Sequence, residues 1–249
     1  MTKRIEFTCH EEFLKHKKNF PTPIKLNIPE WYKKLDHTPT KRTIKGCIPF
    51  LETLTTGYIL KLPQDIYFEH NTRNDKGEAR SVFQAAYRDY QSLPGQEFAL
   101  NIQSEDIHTH PVVQVGEECP YGAKNKHLPF QKIINPWWIK TPPGYSCLFT
   151  APLNNHDDRF SIVAGIVNTD TFPHRINFPF IVNGDKYPYL KTTLQAGLPY
   201  VQVIPFKRDN WQMKIKSKNQ VSVIKSLRLF SDLKTWIYKT YWWNKSNFK

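Results

Sequence analysis

Hydrophobic residues of this chain are grouped in short runs between residues 46 and 206, and several of these runs alternate with polar positions. The runs are rich in β-branched and aromatic residues and are bounded by Pro, Gly, Asn and Asp, which is the pattern of β-strands. They cover residues 58–62, 65–69, 98–102, 130–134, 145–150, 160–167, 175–182, 192–194 and 200–206. Because no convincing helix separates successive runs, we expect an all-β fold, mainly an antiparallel β-sandwich or barrel or a jelly-roll-like body.

Alternation within residues 145–149 and 177–181 assigns one set of side chains to the interior of this body. Leu148 is also apolar, so both faces of its strand can be covered. The expected core consists of Ile139, Tyr145, Cys147, Phe149, Ile162, Ile166, Phe178, Phe180, Val201, Val203 and Ile204.

The two ends of the chain carry helical patterns. Residues 11–18 place acidic side chains before basic ones, which suits a short helix and its dipole, and residues 28–35 indicate one more helical turn. Near the other end, apolar residues at three- and four-residue spacing predict a C-terminal α-helix. They are Val223, Leu227, Phe230, Leu233, Ile237 and Tyr241. We therefore divide the chain into a basic N-terminal extension (1–45), a β-rich body (46–206) and a C-terminal helical segment packed on the body (207–249).

The formal net charge of +13 among 249 residues is concentrated at these ends. Residues 1–50 contain eleven Lys or Arg against five Asp or Glu, and residues 207–249 contain eleven against two. This distribution favours an acidic partner, either nucleic acid, a phosphate-bearing surface or an acidic protein, although charge also serves solubility. In the C-terminal segment the lysines are interleaved with aromatic residues that suit stacking on bases, anchoring of the helix or a subunit interface. The binding candidates there are Lys234, Lys239, Trp242, Trp243 and Lys245.

The cysteines and the apolar runs indicate the redox state of the thiols and the expected compartment of the chain. Cys9, Cys47, Cys119 and Cys147 are far apart and form no Cys-x-x-Cys pair, so we expect free thiols rather than a zinc ribbon or a disulfide framework. No apolar run is long enough to cross a bilayer, and the N-terminus lacks the pattern of a secretion signal. We expect a soluble chain without a membrane partner that stays in the compartment where it is made.

Motifs of the common enzyme classes are missing from the sequence. It contains no phosphate-binding loop, dinucleotide fingerprint, H-E-x-x-H helix or G-x-S-x-G elbow. His108 and His110 form an H-x-H pair on an expected strand, which would direct both imidazoles to one face as in a cupin-type metal site. The carboxylate that should follow His110 is absent, although the stretch His156-Asp157-Asp158 could supply one from a neighbouring loop. We expect no metal and no cofactor.

Three stretches, residues 142–149, 165–172 and 197–205, resemble the core of the dUTPase and dCTP-deaminase superfamily, whose fold is a β-clip. The resemblance places Asn168 where those dUTPases carry the catalytic Asp, and Asp170 stands two residues further on. It also places Ala151-Pro152-Leu153 where they carry a phosphate-contacting Arg-Ser-Gly. An amide accepts no proton at neutral pH. The resemblance thus implies the fold, with Asp170 and Asn168 as the catalytic candidates of a weakened site.

Further stretches resemble a poorly characterised family of tailed phages of marine and cyanobacterial hosts. They are residues 28–33, 55–59, 135–139, 144–146, 177–180 and 204–208. This resemblance implies a phage-encoded protein of the host cytoplasm or the virion. We therefore expect a non-enzymatic binding or virion-associated protein whose partner is another protein, an acidic molecule such as nucleic acid, or further copies of itself, for example in a trimer. The alternatives are a dUTPase-like nucleotide-binding protein and a cupin-like metal-dependent oxygenase.

Overall fold

The computed structural model describes residues 3–38, 40–72, 80–85, 114, 116, 118–133, 135–217 and 238–249. The strands in this part of the chain pair in antiparallel fashion and form one five-stranded, two three-stranded and one two-stranded sheet. The helices between them are short. The predicted all-β, sandwich-like class is therefore confirmed.

The strands are β1 (Glu6–Thr8), β2 (Thr22–Pro23), β3 (Tyr58–Lys61), β4 (Ile66–Asn71), β5 (Arg80–Ala85), β6 (Gln131–Ile133), β7 (Trp138–Lys140), β8 (Tyr145–Thr150), β9 (Phe160–Ile162), β10 (Gly165–Val167), β11 (Phe178–Val182), β12 (Tyr189–Leu194) and β13 (Pro199–Lys207). The α-helices are α1 (Glu30–Lys34), α2 (Ile48–Thr53) and α3 (Pro120–Lys124). Shorter 3₁₀ segments cover Glu11–Lys15, Lys17–Asn19, Ile24–Asn27 and Ile44–Gly46, and a π-helical turn covers Tyr238–Trp242.

Each sheet combines strands that are distant from one another in the sequence. The five-stranded sheet has the order β10-β8-β13-β3-β2, and the three-stranded sheets have the orders β6-β11-β9 and β12-β4-β5. β1 pairs with β7. β13 is the central strand of the largest sheet, because it pairs with β8 on one side and β3 on the other.

The single strand expected over residues 160–167 is two strands that belong to different sheets. β9 pairs with β11, whereas β10 pairs with β8. The peptide N–H of Val163 donates to the carbonyl oxygen of Pro179 at 3.1 Å, and the chain then leaves that sheet. One short run of residues therefore contributes a strand to each of two sheets that share a core. The sequence pattern of residues 160–167 does not reveal this division.

The N-terminal region contributes strands as well as helical turns. β1 and β2 join the sheets, and the helix expected over residues 11–18 is instead a pair of 3₁₀ segments. The turn expected over residues 28–35 contains α1. The expected strand at 98–102 and residues 223–237 of the expected C-terminal helix lie outside the described residues. Tyr241, the last residue of the expected apolar face, lies in the π-helical turn and is 75 % exposed, so it does not pack on the body.

One hydrophobic core receives side chains from all four sheets. Eight of the eleven expected core residues belong to it, namely Ile139, Cys147, Phe149, Ile162, Phe178, Phe180, Val201 and Val203. Burial raises the pKa of the Cys147 thiol to about 11, so this thiol is protonated at neutral pH.

Three expected core residues lie elsewhere. Ile166 is 65 % exposed, because β10 is the edge strand of its sheet and Ile166 pairs with Leu148 on the face away from the core. Ile204 also pairs with Leu148 and is only partly buried. Tyr145 begins β8 at the rim of the sheet and is half-buried. Alternation identified the inward face of β8 correctly, but the register placed Ile166 and Ile204 on the opposite face.

The phenol of Tyr200 is an exception within this apolar interior. Its ring packs edge-on against Phe178 with centroids 5.8 Å apart, and its hydroxyl is buried without a hydrogen-bond partner among the described residues. Burial correspondingly raises the pKa of Tyr200. A buried hydroxyl without a partner lowers stability, because folding removes it from water without replacement.

Replacing Tyr200 by Phe is expected to raise the free energy of unfolding by about 1–2 kcal/mol, since only the desolvated hydroxyl is removed. Urea unfolding of the purified chain measures the change. Tyr32→Phe is the matched control, because the buried Tyr32 hydroxyl donates to the carbonyl oxygen of Lys45 at 3.2 Å and its loss should destabilise the fold. A Tyr200→Phe chain less stable than the parent would contradict the assignment.

Candidate functional site

The sequence candidates Asn168 and Asp170 lie in the tight turn that follows β10. The peptide N–H groups of Thr171 and Phe172 both donate to the carbonyl oxygen of Asn168, at 3.0 and 2.9 Å. Between the two candidates, Thr169 is fully buried and its hydroxyl lies 2.7 Å from that of Thr141. This contact between two buried hydroxyl groups fixes the turn.

The carboxylate of Asp170 is held by a two-pronged ion pair with Arg208. Nη1 of Arg208 donates to Oδ1 at 2.8 Å, and Nη2 donates to Oδ2. The peptide N–H of Gly144 also donates to Oδ2, at 2.8 Å, and the Lys140 ammonium donates to the Asp170 carbonyl oxygen at 2.6 Å. Although the Arg208 side chain reaches the surface, only 6 % of the Asp170 side chain is exposed.

These contacts determine what Asp170 can do chemically. The hydrogen bonds from the Arg208 guanidinium, and then that from the Gly144 peptide, hold the pKa of this carboxyl well below its usual range. A general base works best when its pKa lies near the working pH. The geometry instead gives Asp170 a structural role, since its contacts connect the turn after β10 with the start of β8 and the end of β13.

Asn168 belongs to the same network. Its Oδ1 accepts a hydrogen bond from the buried Ser146 hydroxyl at 2.8 Å, and Arg208 Nη1 donates to that hydroxyl oxygen at 3.0 Å. The fold therefore brings both catalytic candidates together with Ser146 and Arg208, which sequence reasoning did not select. The position of Arg208 two residues after a predicted strand was the available signal, but its ion-pair partner was not evident from the sequence.

The segment Ala151-Pro152-Leu153 follows β8 directly and lines a surface pocket of about 280 Å³. Pro152 is buried, and the peptide N–H of Leu153 donates to Gln202 Oε1 at 2.8 Å. The segment therefore presents neither a guanidinium nor a hydroxyl to the pocket, whose polar groups come from other elements.

The metal candidates His108 and His110 lie outside the described residues, so their prediction stays open. Within the described ranges, no group of three or more His, Cys, Asp or Glu side chains is arranged to hold a metal ion.

The C-terminal binding candidates fall into three groups. Lys234 lies outside the described residues, and Lys239 is exposed in the π-helical turn together with Trp242. Trp243 is partly buried and its indole N–H donates to Glu52 Oε1 of α2 at 2.6 Å, while the Lys245 ammonium lies 5.8 Å from the Trp243 ring centroid. Trp243 therefore serves as an anchor of the C-terminal residues on the body.

The last residues of the chain strengthen this anchor. The Phe248 ring packs edge-on against Tyr58, whose hydroxyl donates to the Lys249 carbonyl oxygen at 3.3 Å. The Lys25 ammonium donates to Asn247 Oδ1 at 2.9 Å. Residues 243–249 thus lie against β3, α2 and the region just after β2.

An exposed apolar stripe on residues 209–217 was not anticipated from the sequence. Trp211, Met213 and Ile215 are 90 %, 84 % and 85 % exposed and alternate with Gln212, Lys214 and Lys216. This segment follows Arg208, whose peptide N–H donates to the Gly144 carbonyl oxygen at 2.8 Å. The two-residue alternation was the available signal, but by itself it also fits a strand buried within the body.

Comparisons with protein-family models, with curated proteins and with solved structures found no match to this chain. Across the part of the chain that the structure describes, no helix is both long and apolar enough to cross a membrane.

Proposed function

We propose that this chain is a non-enzymatic binding protein that engages an acidic protein partner through residues 209–217, which add as a strand to an open sheet edge of that partner. The observation that carries the proposal is the near-complete exposure of Trp211, Met213 and Ile215, which alternate with polar residues in a segment without helix or strand structure of its own. Strand addition uses backbone hydrogen bonds for affinity and alternate side chains for specificity.

The exposed stripe provides the driving force. Burying each of its three large apolar side chains contributes roughly 1.5–3 kcal/mol. Single exposed apolar residues are ordinary on protein surfaces, whereas a contiguous exposed stripe is typical of an interaction site. The peptide groups of residues 210–217 make no backbone hydrogen bond to other described residues.

An anchor directly before this segment fixes where it leaves the body. Arg208 is held by Asp170 and by the entry of β8. A segment tethered at its start has less freedom to lose on binding than a chain that is free throughout, which favours affinity.

Charge supports an acidic partner. Lys214 and Lys216 are exposed and alternate in sequence with the apolar residues of the stripe, within a chain of net charge +13. A partner edge with acidic side chains on the matching face would pair with them, and such complementarity accelerates association. The resemblance to a tailed-phage family makes an acidic component of the virion the first partner to test.

The enzymatic alternative has less support, because the side chains of both described catalytic candidates already form hydrogen bonds within the protein. Asp170 is paired with Arg208, and Asn168 accepts from Ser146. The network fixes the corner of the sheet from which residues 209–217 depart. Its role in the proposal is therefore to position the binding segment.

A paired substitution experiment tests the proposal. Replacing Trp211, Met213 and Ile215 together by Ser should weaken partner binding at least about 100-fold, since the apolar burial is lost. Replacing Gln212, Lys214 and Lys216 together by Ser is the matched control, which keeps the stripe and should retain binding with a weaker dependence on salt. Tagged chains are expressed in cells that carry the gene, and the retained proteins are quantified by mass spectrometry after chemical cross-linking.

The outcomes separate the candidate partners. An acidic protein cross-linked to residues 209–217 in the parent and control, and lost from the stripe variant, supports the proposal. If light scattering shows an oligomer that only the stripe variant dissociates, the partner is a second copy and the acidic-partner proposal is wrong. Retention of every partner by the stripe variant would overturn the role of the segment.

A further inference from the structure

A polar pocket of about 280 Å³ lies on the surface at the end of β8. Its wall is formed by the loop from Thr150 to Asp158, the start of β9, Asn183 after β11, and Lys124 at the end of α3. Buried Pro152 and Phe160 contribute its apolar part. Typical drug-sized ligands occupy pockets of about 300–1,000 Å³, so this one suits a smaller molecule.

The acidic side chains of the pocket are already neutralised. Asp157 accepts from Arg159 Nε at 2.9 Å and from the Arg159 peptide N–H at 3.0 Å. Asp158 is paired with the Lys186 ammonium and accepts from the Tyr187 hydroxyl at 2.9 Å. Neither carboxylate therefore contributes an uncompensated negative charge.

The basic side chains of the pocket are not compensated in the same way. Lys124 and His156 both line it, and within the described residues neither side chain has an ion pair or hydrogen bond. Ser161 adds a hydroxyl from β9. Lys124, His156 and Ser161 line the same pocket from three separate segments, and donors of these kinds favour an anion.

The walls of the pocket are braced before any ligand arrives. Asn154 adopts the left-handed conformation with φ 56° and its amide donates to Thr53 Oγ1 at 2.8 Å. Oε1 of the buried Gln202 accepts a hydrogen bond from the Leu153 peptide N–H, and the Asn183 amide donates to the Asp158 carbonyl oxygen at 3.1 Å. A preformed pocket loses little conformational entropy when it binds a ligand.

We propose that this pocket is a binding site for the phosphate group of a small molecule, with Lys124 and His156 at its oxygens and Ser161 as a further donor. A phosphate offers three or more diverging acceptor oxygens to donors on separate walls, whereas a planar carboxylate offers two. The site is independent of residues 209–217, and its ligand binding would add a second function to the chain.

Isothermal titration of the full chain tests this site with three probes at matched ionic strength, which are inorganic phosphate, ribose 5-phosphate and acetate. We expect saturable binding of the first two and none of acetate. Lys124→Gln and His156→Gln should each weaken phosphate binding about tenfold or more, because each removes a charge-assisted or N–H donor. His156 is exposed and Lys124 is only partly buried, so thermal unfolding of these variants should match that of the parent.

Lys34→Gln is the matched control, since Lys34 is an exposed lysine of α1 that does not line the pocket. Tighter binding of ribose 5-phosphate than of inorganic phosphate would identify a phosphate ester as the natural ligand, and the reverse order would identify free phosphate. Three outcomes would overturn the proposal: absent saturable phosphate binding, equal binding of acetate, or an unchanged affinity in both pocket variants.

Discussion

Replacing Gly57 by Ala is expected to lower the free energy of unfolding by about 3 kcal/mol or more, because backbone strain and a backbone clash act together. Gly57 has φ +84°, in the region that favours glycine, at the turn between α2 and β3. A Cβ there would overlap the carbonyl oxygen of Val203 and lie 3.1 Å from the carbonyl carbon. These atoms belong to β13, the central strand of the largest sheet, and cannot move aside as a flexible side chain could.

Gly144→Ala separates the two contributions. Gly144 has φ +82°, but no described atom lies within 4 Å of the position of its Cβ. Only the strain of the left-handed conformation remains, which amounts to about 1–2 kcal/mol. Urea unfolding of both variants gives the difference, and equal losses of stability would show that the approach of Val203 to Gly57 has no energetic weight.

Stability is expected to fall by about 3 kcal/mol as the pH decreases from about 6.5 to about 4, because His70 is buried in its neutral form. His70 lies in β4 between Leu190 of β12 and Ser81 of β5, and it has no exposed surface. Burial lowers the pKa of His70 to about 4. Between the two pKa values the unfolded chain binds a proton that the folded chain does not, so acid favours unfolding.

The contribution of His70 to the free energy of unfolding changes with pH only between its folded and unfolded pKa values. Above the unfolded pKa both states are neutral and the contribution is constant, and below the folded pKa both are charged and it changes no further. His70→Gln should therefore flatten the stability profile between about pH 6.5 and 4, whatever its effect at neutral pH. His174→Gln, which replaces an exposed imidazole, should keep the slope of the parent. An unchanged slope in His70→Gln would contradict the prediction.

The positions of the strands were largely predictable from the sequence. The run at residues 145–150 coincides with β8, and the run at 200–206 lies within β13. Short β-branched and aromatic runs between Pro, Gly and Asn carry a local signal, because strand preference and turn chemistry depend on neighbouring residues. The same local character explains why the division of residues 160–167 into β9 and β10 was missed.

The site was less predictable than the strands. Asp170 and Asn168 were selected as catalytic candidates through a resemblance, yet their environment depends on Arg208, 38 residues after Asp170 in the chain. That pairing follows from the register of β13 against β8, in which Lys207 lies opposite Tyr145. A register is a property of two distant strands, and local residue patterns specify it only through the faces that they bury.

Local residue patterns are enough to specify the all-β class, most strand positions and the inward face of β8, because these depend on local preference and side-chain alternation. Which alternating segments are buried follows only from the folded arrangement. Residues 200–203 and 211–216 both contain large apolar side chains, but the first lie between β8 and β3 whereas Trp211, Met213 and Ile215 remain in solvent. Burial depends on which strands arrive on either side, and that is set by long-range packing of the whole core rather than by the segment itself.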